Sequence, residues 1–370
     1  MDPSGDRAFV GRHHHAVSRK GYLDWLRGLA VLIMVEAHLF DAWVRVLDRS
    51  ERPYQWAIAI GGYSAPLFLF LAGVAMALGI GSRLRKGATP SQAAAIARRR
   101  GWQILGLALL FRLQSFIISG GPFPQTLLKV DVLNVMGPSM VLAAVLWGIG
   151  SRGLWRVTAL ILGASFFAFA TPLIRSIPIL TSLPYPIQWY FKSVPGSGAF
   201  TLFPWVGFLL CGVVIGLWLD RAGNDDEERG ALKEMAIFGP VVALGGYLSA
   251  YLPTVYTDTT FWTGSPTFFF MRIGVLITAI PVAYAWNARF HGWSPLRDLG
   301  VASLFVYWIH VEMVYGIASF WLHKALTFEQ AVASYVVFCL FLYWLVKLKD
   351  RVVQAPAPPE PRTLAPSHGA

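Results

Sequence analysis

The sequence is poor in charge. Only 14% of its 370 residues are Asp, Glu, Lys or Arg, against about 25% in ordinary soluble domains. That shortage, with 55% apolar residues and a mean hydropathy of +0.53, excludes a water-soluble globule and a disordered chain. Acidic residues are scarcest, 20 against 31 basic ones, for a formal net charge of +11. Nucleic acid is still not an expected partner, because the basic residues punctuate apolar runs. There are two cysteines, Cys211 and Cys339, far apart in apolar stretches. They exclude a disulfide framework and a CxxC motif, and no metal site is expected. The chain also lacks a Gly-rich phosphate loop and a fixed-period repeat. The first apolar run begins late and is long enough to span a bilayer, unlike a cleavable signal peptide.

What is present is long apolar runs. A membrane helix needs about 20 mostly apolar residues. Ten stretches qualify, near 22–44, 57–80, 101–118, 132–150, 157–173, 202–219, 234–252, 267–286, 299–318 and 328–347. The expected fold is an all-α integral membrane protein, a bundle of about ten transmembrane helices over residues 21–348. A polar tail (1–20) with His13, His14 and His15 precedes it, and a Pro-rich disordered tail (349–370) follows. With both termini cytoplasmic, 22 of the 31 basic residues fall on the inside, as the positive-inside rule requires. The pI of about 9.8 is then mostly topology. An inner or plasma membrane is the expected location. Gly212 and Gly216 have the spacing for close helix packing. The run Asp225–Glu228 reads as a solvated loop, and Gln92–Ala97 as a short interfacial helix.

Charged groups inside spans are costly and face the bundle interior or a cavity. On the first span Asp24, Arg27, Met34, His38 and Asp41 share one stripe at helical spacing. Asp24 and Arg27 are i,i+3 and can pair. His38 lies 14 residues beyond Asp24, about 21 Å along the axis at ~1.5 Å per residue, which puts it in the outer half of the bilayer. Asp41 is placed to orient the imidazole. Arg112, Asp131, Asn134 and Arg272 fall at similar depth, and Ser303, Tyr307 and His310 share one face of the ninth span. Each has a plainer reading. Arg112 can snorkel, Asp131 and Asn134 can cap a helix, and a single His can be packing. The set as a whole points to a polar cavity open toward the outer half.

These residues carry a family resemblance. The segment Asp24-Trp-Leu-Arg-Gly-Leu-Ala-Val-Leu-Ile-Met-Val-Glu-Ala-His38 resembles the opening helix of the heparan-alpha-glucosaminide N-acetyltransferase-like family. Ala65-Pro-Leu-Phe-Leu-Phe-Leu-Ala-Gly-Val-Ala, Asp131-Val-Leu-Asn-Val-Met-Gly, Phe203-Pro-Trp-Val-Gly-Phe, Ser265-Pro-Thr-Phe-Phe-Phe-Met-Arg-Ile-Gly and Leu299-Gly-Val-Ala-Ser-Leu-Phe-Val-Tyr-Trp-Ile-His310 follow in family order, over about 19–346. The resemblance implies a transmembrane acyltransferase. It would take an acetyl or acyl group from cytosolic acyl-CoA, acetyl-CoA or another, to an amine or hydroxyl of a sugar or lipid acceptor. Related bacterial O-acyltransferases also have a His near the end of the first helix, which matches His38. The sequence departs from the lysosomal members, where an asparagine matches His38 and the His regarded as catalytic follows in the lumenal segment. Here that segment, Val46–Pro53, holds no His.

The mechanism that fits gives His38 the base or nucleophile role, with Asp41 or Asp131 holding its tautomer. Arg112, Arg272 or Asn134 would donate to the oxyanion, and His310 would position donor or acceptor. Asp24, Arg27 and Tyr307 complete the expected pocket. The basic stretch Arg83–Arg100 either attracts CoA phosphates or only sets topology. A transporter using the same intramembrane groups is the alternative, and a binding protein without catalysis a third. Homo-oligomerisation is compatible with the sequence.

Overall fold

The structure, a computed structural model, describes residues 20–119, 122–149, 153–194, 200–256 and 261–354. The polar tail up to residue 19 and the Pro-rich tail from 355 lie outside the described residues. Among the described residues there is no strand, only an isolated parallel bridge between Val44 and Leu326. The described residues are helices joined by short connections, and the chain divides into two compact units, residues 1–27 with 65–293 and residues 28–64 with 294–370.

The first unit holds the start of α1 (Gly21–Trp43), then α3 (Ser64–Arg85) from Ala65 and α4 (Pro90–Ser119). There follow α5 (Gln125–Leu128), α6 (Val132–Ile149), α7 (Gly153–Ser176), α8 (Tyr185–Phe191), α9 (Trp205–Asp220), α10 (Asp225–Ser249), α11 (Phe261–Gly264) and α12 (Pro266–Arg289). Here α10 packs along α12, α4 along α6 and α7 along α9. Small residues permit the close approaches. A Cβ on Gly212 of α9 would run into the backbone carbonyl of Phe70, and one on Gly73 into that of Leu209. A Cβ on Gly216 would meet Ala77 and the carbonyl of Val74 in the same way, so Gly212 and Gly216 let α9 approach the backbone of α3 closely, the use their spacing predicted.

The second unit holds the rest of α1, α2 (Arg52–Gly61), α13 (Pro295–Val301), α14 (Ser303–Tyr315) and α15 (Phe328–Gln354), with 3-10 turns at Val46–Ser50 and Ile317–Leu322. The carbonyls left open at the end of α1 find donors nearby. The Arg49 guanidinium donates to the carbonyls of Asp41 (2.6 Å) and Val44 (3.0 Å). The returning chain donates from Lys324 N to Ala42 O (2.9 Å) and from Leu326 N to Trp43 O (3.0 Å). A reciprocal pair between Thr327 and Gln330 caps α15. Asp48 accepts from Phe328 N at 2.9 Å and from Arg45 Nε at 2.6 Å.

Among the described residues, seven helical segments are long and apolar enough to cross a membrane: Arg52–Arg85, Pro90–Ile118, Val132–Ile149, Gly153–Ser176, Asp225–Ser249, Pro266–Arg289 and Phe328–Val353. The protein is therefore a multi-pass membrane protein. The other three expected spans are also helical but fall short for separate reasons. Along α1 the charged residues Asp24, Arg27, Glu36 and Asp41 interrupt the apolar run. The α9 helix has 16 residues, and the stretch 299–318 is broken at Ala302 between α13 and α14.

Three local expectations are corrected. Gln92–Ala97 is not a separate interfacial helix. It is the start of the 30-residue α4, which Thr89 and Gln92 cap reciprocally and which nothing interrupts before the apolar part. Asp225–Glu228 is the first turn of α10, capped by Asn224. Acidic side chains favour that end of a helix, and Glu228 also accepts from Lys20 Nζ and the Tyr22 hydroxyl. The tail does not begin at 349, because α15 continues to Gln354.

The Asp48 clamp has a pH signature. The Arg45 hydrogen bond, helped by the Phe328 N–H, holds the Asp48 carboxyl below its usual range. A depressed carboxyl stabilises the fold above its unfolded pKa, about 3.9, and loses that contribution as pH falls through the folded value. Thermal melting in detergent is expected to show Asp48→Asn below the native protein at pH 7. The gap should narrow near pH ~3, below the ordinary Asp value. An unchanged gap would contradict the clamp.

Candidate active site

The second unit brings two histidines together from opposite ends of the sequence. His38 lies in the C-terminal half of α1 and His310 on α14. His38 Nδ1 is 2.8 Å from His310 Nε2. The ring planes differ by 6° and the centroids are 5.1 Å apart. That separation is the N···N contact lengthened by one ring radius at each end. The imidazoles therefore meet edge to edge in one plane, the geometry of an N–H aimed at a ring lone pair. His310 is fully buried, at 0% exposure, and its Nδ1 lies 2.9 Å from the carbonyl oxygen of Val306 one turn earlier. His38 is partly exposed, and its Nε2 has no hydrogen-bond partner among the described residues. The ring of Tyr307 presents at 69° to His310, 5.8 Å between centroids.

Tyr315 also packs against His38, at 66° with centroids 5.6 Å apart. Its hydroxyl donates to Asp41 Oδ2 at 3.1 Å. The Asp41 side chain is 59% exposed and faces Arg49 at 3.8 Å. The nitrogen of His38 that Asp41 or Asp131 was expected to hold is thus held by His310, and Asp41 is engaged by Tyr315 and Arg49. Tyr315 and Arg49 had no sequence signal. Tyr315 sits off the Ser303–Tyr307–His310 stripe, and Arg49 reaches back only because Val46–Ser50 is a 3-10 turn.

A third histidine nearby is structural. His323 Nε2 (3.0 Å), Ser319 Oγ (2.9 Å) and Trp43 Nε1 (3.0 Å) all donate to the carbonyl of Val314 at the end of α14. A carbonyl only accepts, so His323 Nε2 carries a proton and is no base toward Ser319.

The first unit gathers a different polar cluster. Arg112 on α4 donates from Nε (3.0 Å) and Nη2 (2.8 Å) to Asp131 Oδ2. Asp131 Oδ1 accepts from Leu133 N (2.9 Å) and Asn134 N (3.1 Å) and so caps α6. Asn134 Oδ1 returns the bond from Asp131 N at 3.2 Å. All three side chains are buried. Arg112 therefore does not snorkel; its charge is met inside the protein. Burial pushes the nearby Tyr190 phenol above its usual pKa, and the Asp131 carboxylate adds to the shift. Asp24 and Arg27 pair at 2.9 Å as their spacing predicted. The Arg272 guanidinium lies 4.1 Å above the Phe268 ring.

Among known families, the one described as Heparan-alpha-glucosaminide N-acetyltransferase, catalytic, matches residues 19–255. That stretch contains His38, Arg112, Asp131 and Asn134. It stops before Arg272, Tyr307 and His310, short of the 19–346 over which the resemblance runs. No curated protein matches the chain.

The Arg112–Asp131 pair yields a stability test. Asp131→Ala removes a cap, at about 1 kcal/mol, and strands a buried cation, at about 3–5 kcal/mol. Replacing both partners, as Arg112→Met with Asp131→Asn, should recover much of that loss. Thermal melting in detergent compares them. A double variant no more stable than Asp131→Ala would contradict the pairing.

Proposed function

We infer that this chain, which belongs to the heparan-alpha-glucosaminide N-acetyltransferase catalytic family, is a membrane-embedded enzyme that moves an acetyl or acyl group from acyl-CoA. The acceptor is an amine or hydroxyl of a sugar or lipid. The observation that carries the reading is the coplanar contact of His38 with His310 at 2.8 Å. His310 is buried, and the other ring nitrogen of His38 has no hydrogen-bond partner among the described residues. A paired, partly exposed imidazole in an apolar bundle is the arrangement a general base or nucleophile needs.

In direct transfer the acceptor nitrogen or oxygen attacks the thioester carbonyl while His38 Nε2 takes its proton. The tetrahedral intermediate collapses, the C–S bond breaks, and His38 returns the proton to the CoA sulfur. If His38 is instead the nucleophile, Nε2 bonds to the carbonyl carbon, the C–S bond breaks and CoA leaves as the thiolate; the acceptor then attacks the acyl-imidazole, the C–Nε2 bond breaks and the acceptor's proton passes to water. Tyr307, edge-on to His310, would line the pocket; Arg112, Asn134 and Arg272 are the sequence's candidates for oxyanion donors, and Asp24 and Arg27 its further candidates for substrate contact. Ten spans with both termini cytoplasmic put His38 in the outer half of an inner or plasma membrane. Donor CoA would enter from the cytosol past the basic stretch Arg83–Arg100. The alternative, a carrier with the same polar groups, requires no acyl chemistry.

Calorimetry with acetyl-CoA, longer acyl-CoAs and free CoA on detergent-purified protein tests the donor half. Saturable binding in the micromolar range is expected, about −8 kcal/mol, and His38→Ala should retain it. With an acceptor that the native protein uses, His38→Ala should lose about 10²–10⁴-fold in transfer rate. Release of CoA without acceptor marks the covalent route. Absence of binding by any acyl-CoA, with substrate flux into liposomes, would overturn the reading in favour of the carrier.

A further inference from the structure

We propose that His310 is a positioning residue that decides which nitrogen of His38 reacts, acting through the backbone carbonyl of Val306. The proposal rests on the acyltransferase reading for its consequence, but its geometry stands on its own.

The chain of assignments starts at a group with no choice. The Val306 carbonyl can only accept, so His310 Nδ1, 2.9 Å away, carries a proton. A buried neutral imidazole has one N–H, so His310 Nε2 is a bare lone pair. His38 Nδ1, 2.8 Å from that lone pair, must then be the donor. His38 is left protonated on Nδ1 and bare on Nε2. The group hydrogen-bonded to the far nitrogen of a working His usually fixes its tautomer in this way. Here a second imidazole stands where a carboxylate is expected, and the last link is a helix carbonyl rather than an ionisable group.

The same chain limits where a proton can go. When His38 Nε2 takes the acceptor's proton, the positive charge spreads toward His310 through the Nδ1–H···Nε2 bond. His310 cannot pass a proton on from Nδ1, because the Val306 carbonyl does not bind one. The proton returns from Nε2 to the departing thiolate, and no net charge crosses the pair. The dyad is built for local acid–base chemistry rather than as a segment of a proton wire.

The test reads the tautomer directly. Protein carrying ring-15N histidine is reconstituted in nanodiscs, and the His38 ring signals are identified by their loss in His38→Gln. The expected native spectrum shows His38 protonated on Nδ1 and unprotonated on Nε2. In His310→Leu the His38 proton should move largely to Nε2. His310→Gln keeps an acceptor oxygen and should restore much of the native form. In transfer assays His310→Leu should lose about 10²–10⁴-fold in kcat, with acetyl-CoA binding unchanged, and His310→Gln should regain at least about tenfold of that loss. A native His38 protonated on Nε2 would overturn the proposal, even if His310→Leu fails to fold. The expected tautomer in a protein that binds no acyl-CoA would leave the assignment standing and remove the acyltransferase reading instead.

Discussion

A polar side chain inside a lipid-embedded bundle has to find its partner within the protein, because hydrocarbon offers none. That requirement organises both units. In the first, Arg112 is matched by Asp131, and the other oxygen of Asp131 serves two N–H groups at the start of α6. In the second, His310 satisfies one nitrogen on its own helix carbonyl and turns the other to His38. The ends of α1 and α14 obey it too, through Arg49 on the carbonyls of Asp41 and Val44 and through three donors on Val314. Among the described residues His38 Nε2 has no hydrogen-bond partner. Unlike the buried Trp147 and Trp189 Nε1 donors that also lack one, it belongs to a partly exposed residue and can take a proton, which is the physical reason for placing chemistry there.

Much of the fold was legible because hydropathy is a local property. The apolar runs near 57–80, 132–150, 157–173, 267–286 and 328–347 all lie in helices that meet the length and composition needed to span. The close approach at Gly212 was legible for the same reason, since small residues one turn apart have few other uses in a membrane helix. Element boundaries were less so. Nothing in Gln92–Ala97 announces that it runs on into α4, and the acidic residues after Asn224 read as solvated until the cap is seen to start a helix.

The site divides along a similar line. Asp24 with Arg27, and Asp131 with Asn134, were legible because partners three residues apart share a helix face or a cap. The partner of His38 was not, because it lies 272 positions away and no spacing rule reaches that far. Asp41 was the natural candidate on α1. Tyr315 and Arg49 take its carboxylate instead; Tyr315 ends α14, off the stripe of His310, and Arg49 comes from the 3-10 turn after α1. Family membership rests on residues 19–255, which stop short of His310; the sequence offered His310 as a candidate, and its pairing with His38 is a finding of the structure.

The claim that a single imidazole nitrogen is kept free for acyl chemistry can be tested most directly by diethylpyrocarbonate labelling with mass-spectrometric mapping. The reagent attacks unprotonated imidazole nitrogen that solvent can reach. The account predicts rapid modification of His38, none of His310, and protection of His38 by acetyl-CoA. Modification of His310 in the folded protein, or a His38 that stays unlabelled or gains no protection from acetyl-CoA, would contradict it.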